Sequence, residues 1–142
     1  MTEKNIWDNL NLSEENLKTA YDYLIPQAEN FKTATKSTLK MDLEVSNAVT
    51  SGENPRKVTV YSLYVVAPDL GNYRKKILHI AEFPEEGRFP VNMFSEVSEE
   101  KNLNVIESDF LTIAHKMLSH ERIKGAIESL FRQSLQNKKH NS

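Results

Sequence analysis

Cysteine is missing from the 142-residue chain altogether. No disulfide can form, no thiolate can hold zinc, and no cysteine can serve as a nucleophile. Glycine is scarce: the four glycines, at 52, 71, 87 and 125, are too scattered to cradle a phosphate. Long apolar runs are missing too. The longest, Leu63 to Ala67, is far short of the ~20 residues that span a bilayer. The opening Met-Thr-Glu-Lys-Asn-Ile-Trp-Asp-Asn has neither a basic start nor an apolar stretch, so no secretory signal is expected and the cytoplasm is the expected location. There is no large excess of either charge: the net value is −2, so a polyanion would need a local basic patch.

What is present suits an ordinary globular protein. Apolar residues make up 39% and charged residues 27% of the chain. The length fits one domain, 1–142, large enough to bury a core without covalent staples. Residues 1–12 and the polar tail 137–142 are expected to fray.

Hydrophobic spacing sets the expected elements. Ser13 has the character of a helix N-cap, with Glu14 and Glu15 in the first turn and Leu12 and Leu17 spaced as a hydrophobic staple. Leu17, Ala20, Tyr21, Leu24, Ala28 and Phe31 then recur at helical intervals. Pro26 interrupts the backbone but not the phase of this stripe, so a kink is expected there rather than a break. The period changes to two at Leu39, Met41, Leu43 and Val45, which alternate with Lys40, Asp42, Glu44 and Ser46 in a strand. Further strands follow at 57–67, 73–83 and 88–94, separated by turn residues, and Pro90 places the last of them at a sheet edge. Acidic Ser95 to Lys101 reads as a solvated loop or short surface helix. The expected architecture is α+β: a three- to four-stranded antiparallel meander in a two-layer sandwich, flanked by an N-terminal helix and a C-terminal helical pair.

The helical pair rests on a phase jump. Phe110, Ile113, Ala114, Met117 and Leu118 form one stripe; Ile123, Ala126, Ile127, Leu130 and Phe131 form another, rotated by roughly 140°. Two helices joined near Ser119 account for this, with Ser119 as the second N-cap and Glu121 in its first turn. His115 then lies on the wet side and His120 at the start of the second helix. Their spacing is not that of a metal-binding helix pair, so no metal and no cofactor is expected.

No catalytic set is convincing. His79 needs an orienting carboxylate, and Glu82 falls on the opposite side of the strand. Ser62 lacks the Gly-x-Ser-x-Gly turn of a nucleophile elbow. Asp69 with Glu99 is one alternative, as the acidic pair of a metal-dependent hydrolase or nuclease. Arg74, Lys75 and Lys76 offer another, as the patch of a nucleic-acid adaptor.

The stronger hint concerns surfaces. In the second strand Val58, Val60, Tyr64 and Val66 point one way, and Tyr61, Leu63 and Val65 the other. In the third, Ile77, Ala81 and Phe83 oppose Leu78 and Ile80. Both faces of the sheet centre therefore call for cover. The expected function is a non-catalytic protein-binding module, of adaptor, chaperone or immunity type. It would hold a protein partner or a second copy through a partly apolar sheet face carrying Tyr61, Leu63 and Val65.

Overall fold

The computed structural model describes residues 18–140. Three helices and a five-stranded sheet form an α+β sandwich of two layers. Ser13 and the staple lie outside the described residues. The helix seen here, α1 (Ala20–Ala34), starts later, at a capping box: Asp22 N–H donates to Thr19 Oγ1 at 3.4 Å, and Thr19 N–H donates to Asp22 Oδ2 at 3.0 Å. The helix runs through Pro26 unbroken. It ends where Lys36 and Ser37 take left-handed backbone angles. Thr35 Oγ1 then donates to Leu39 O and accepts from Leu39 N–H, fastening the helix end to the first strand.

The strands β1 (Lys40–Val49), β2 (Lys57–Ala67), β3 (Tyr73–Glu82), β4 (Val91–Ser95) and β5 (Lys101–Val105) lie side by side in chain order, each antiparallel to the next. The meander thus has one strand more than its alternation suggests. Asn102 and Asn104, poor strand formers, mask β5 in the sequence. Its presence also corrects the placing of β4, which lies between β3 and β5 and not at an edge. Pro90 precedes β4, so the proton it lacks costs the ladder nothing. The segment before β5 is a loop held by Ser95 Oγ, which accepts from the N–H groups of Val97 and Ser98.

A bulge reconciles β3 with a single core. The pairing of β2 with β3 shifts between Leu63 and Tyr64, leaving Ile77 as the extra residue of β3. Ile77 and Leu78 are both fully buried. The apparent two-sidedness of β3 is therefore largely local.

α2 (Glu107–Leu118) and α3 (Glu121–His140) confirm the two-helix reading of the phase jump. Ser119 closes α2, its N–H donating to the His115 carbonyl while His120 N–H donates to that of Met117. The cap of α3 is His120, one residue on: its Nδ1 accepts from Arg122 N–H at 3.1 Å, and its carbonyl accepts from Lys124 N–H. Residues 137–140, expected to fray, continue α3. Asn137 Nδ2 donates to Asp69 O at 2.5 Å, and Lys138 Nζ stands 3.4 Å from Asp69 Oδ2.

All three helices cover the same side of the sheet. Ala20 and Leu24 of α1, Phe110, Ala114 and Met117 of α2, and Ile123 and Leu130 of α3 share one core with Tyr61, Leu63, Val65, Leu78, Ile80, Val91 and Met93. This settles which face the first helix takes.

Candidate functional site

The side of the sheet opposite the helices follows from the strand register. Val58, Val60, Ser62, Tyr64 and Val66 of β2 lie there, opposite Ala48, Ser46, Glu44, Asp42 and Lys40 of β1. Arg74, Lys76, His79 and Ala81 of β3 continue the row, followed by Asn92 and Phe94 of β4. Among the described residues no helix packs on this side.

Charged and aromatic groups organise the surface into two clusters. In the first, Arg74 Nη1 donates to Glu44 Oε1 at 2.5 Å across three strands, while its guanidinium lies 4.0 Å from the centre of the Tyr64 ring. The guanidinium holds the Glu44 carboxyl below its ordinary titration range, chiefly through that hydrogen bond. In the second, the His79 ring stacks on Phe94 at 4.8 Å, and its Nδ1 bonds Glu96 Oε1. Lys76 Nζ lies 3.8 Å from the same carboxylate. Between and beside the clusters, Val58, Val60, Ala81 and Phe94 are half-buried. Ion pairs, a stacked ring and a cation–π contact thus link the long side chains of this face.

The residues first assigned to partner binding require correction. Tyr61, Leu63 and Val65 are 6%, 2% and 0% exposed, beneath the helices. Tyr61 packs against Tyr21 and donates its hydroxyl to Glu82. They belong to the core, and a polar substitution of Tyr61 and Leu63 would unfold the protein before it tested any surface. The alternation identified two faces correctly but could not say which one the helices would take.

The other candidates fare differently. His79 does have an orienting carboxylate, supplied by Glu96 from the β4–β5 turn rather than by Glu82. Ser62 stands opposite His79 in register, but it lies flat in a strand, 6% exposed, and makes no hydrogen bond to the ring. That arrangement cannot activate a hydroxyl. Asp69 and Glu99 sit near opposite ends of α3: Asp69 contacts Lys138, and Glu99 shares a shallow cavity with His120 and Arg122. From Arg122 to Lys138 the helix rises about 24 Å, too far for one metal to bridge both carboxylates. Among the described residues no three His, Cys, Asp or Glu side chains gather as a metal site. Of the basic triplet, Arg74 and Lys76 are already paired with Glu44 and Glu96, and Lys75 lies on the other side of the sheet. No helix among the described residues is long and apolar enough to cross a membrane.

Nothing in the sequence announced Glu96 or Glu44 as partners of His79 and Arg74. The contacts join residues 17 and 30 positions apart, and only the register brings them together. No protein-family model matches the chain, and comparisons with curated proteins and with solved structures return no match.

Proposed function

We propose that the protein is a non-catalytic protein-binding module acting in the cytoplasm, and that it holds its partner on the sheet face opposite the helices. One observation carries the reading: among the described residues this face is free of helices, yet its charged and aromatic side chains are fixed by ion pairs, a stacked ring and a cation–π contact. The surface mixes half-buried valines with paired charges of both signs. Such a surface fits a protein partner of mixed polarity better than a polyanion, whose phosphates would meet Glu44 and Glu96.

The test is co-purification of tagged protein from a source-organism lysate, beside a Tyr64→Ser, Phe94→Ser variant. Both replaced residues are half-buried on the proposed face, so the variant should keep its fold. A stoichiometric partner retained by the parent and lost by at least tenfold in the folded variant is expected. A partner held equally by both places the contact elsewhere and removes the proposal.

A further inference from the structure

Among the described residues β1 and β5 are the edges of the sheet, and they differ sharply. β5 spans five residues, its pairing with β4 is broken by a bulge, and Asn104 there takes a left-handed backbone angle. Short length and irregularity are two of the means by which an edge is kept from pairing, beside charged side chains such as Lys40, Asp42 and Glu44 of β1. β1 is neither short nor irregular. It runs ten residues in unbroken register with β2, and it contains no proline.

The direction of its backbone groups can be deduced. Thr50 N–H donates to Arg56 O, so the even-numbered residues of β1 form the hydrogen-bonded pairs with β2. Met41, Leu43, Val45, Asn47 and Val49 accordingly aim their N–H and C=O groups outward. Their side chains share the core side of the sheet, yet only the first two pack under the helices. Met41 and Leu43 pack against the core, while Val45 and Val49 are 51% and 63% exposed.

We propose that the protein forms a symmetric dimer by antiparallel pairing of β1 with β1 of a second copy, about a two-fold axis at Val45. This register sets Met41 against the second copy's Val49 and Leu43 against its Asn47, with Val45 meeting itself. All five outward residues then form hydrogen-bonded pairs, giving about ten backbone hydrogen bonds. Asp42 faces Ala48 and Glu44 faces Ser46, so no carboxylate meets a carboxylate directly. Centring the axis on Leu43 would oppose Asp42 to Glu44, and centring it on Glu44 would oppose that residue to itself, both repulsive. The axis at Val45 also brings the half of β1 that α1 covers beside the half that it leaves bare, so each copy's α1 flanks the other's Val45 and Val49. The product is a continuous ten-stranded sheet with all helices on one side. It does not depend on the opposite face binding a partner.

Light scattering on the full chain should give about twice the monomer mass of 16.3 kDa at about 100 µM. A monomer mass at that concentration overturns the dimer. Val45→Pro removes an outward donor and no bond to β2, so dimerisation should weaken at least tenfold while the melting transition survives; Val45→Lys gives a second route to the same loss. A dimer indifferent to both variants overturns the assignment to β1. The absence of cysteine allows a direct check. Val45→Cys should cross-link through an intermolecular disulfide, because the paired Cα atoms stand about 5.5 Å apart. Leu103→Cys, at the β5 edge, should not. The reverse pattern overturns the proposal.

Discussion

Tyr61 reaches diagonally from β2 to β3 and donates its hydroxyl to Glu82 Oε2 at 2.9 Å, within the layer between sheet and helices. Both residues are buried, and Glu82 Oε1 has no hydrogen-bond partner among the described residues. Burial raises the Glu82 carboxyl above the usual range, outweighing the Tyr61 bond and the Arg88 charge, which pull it down. Burial, followed by the bond to Glu82 and that residue's charge, pushes the Tyr61 hydroxyl up to about 12.

Two pH effects follow from those shifts. Each group holds its proton longer in the fold than in the unfolded chain, so each costs stability as it ionises with rising pH. The Glu82 loss begins above the ordinary carboxyl value of 4.5 and is complete above its raised folded value. Glu82→Gln should therefore gain in melting temperature, relative to the parent, as the pH rises from 4.5 through the raised folded value. The Tyr61 loss begins near pH 10 and grows toward 12, and Tyr61→Phe should remove it. Melting curves across pH give both differences; a Glu82→Gln difference that does not change with pH contradicts the first.

The aromatic contact between α2 and the rest of the core is sensitive to truncation. Phe110 is fully buried, with its ring 5.7 Å from Phe89 and 6.1 Å from Tyr23. Phe110→Ala should cost about 3–5 kcal/mol in urea unfolding, through lost transfer energy and the cavity left behind. Leu103→Ala, at a site 54% exposed, should fall within about 0.5 kcal/mol of the parent.

The junction between α2 and α3 depends on an uncommon cap. His120→Ala removes the acceptor for Arg122 N–H and should cost about 1 kcal/mol. His120→Asn supplies a strong capping oxygen at the same place and should restore stability to the parent level or above it. Equal losses in both variants, measured by urea unfolding, would show that the ring acts by packing rather than as a cap.

Pro26 sits in the interior of α1, where it withholds the donor that would meet the Asp22 carbonyl. In an isolated helix the exchange for alanine is worth about 3 kcal/mol. Proline also restricts the unfolded chain, which offsets about 0.4–1 kcal/mol of that gain. Pro26→Ala should therefore stabilise the protein by about 2–2.6 kcal/mol, read from the shift of the urea midpoint. A destabilised variant would mean that the proline shapes α1 to its seat on β1.

The sequence by itself determined the elements whose signals are local. The β-branched and aromatic run from Lys57 to Ala67 marked β2 to the residue, and the jump between the stripes of Phe110 and Ile123 marked two helices. Short turns between antiparallel strands determined the meander. Signals that needed a partner were left undecided. β5 became a strand only because Val91 to Phe94 offered it a ladder, and Ile77 joined the core only because β3 bulges opposite Leu63. The choice of face was the largest of these decisions. Tyr61 and Tyr64 read alike along the strand, since period two says that faces alternate but not which one meets the helices. Packing of Leu24, Phe110 and Ile123 on one side buried Tyr61 and left Tyr64 beside Arg74, because apolar surface leaves water wherever the helices can close over it together.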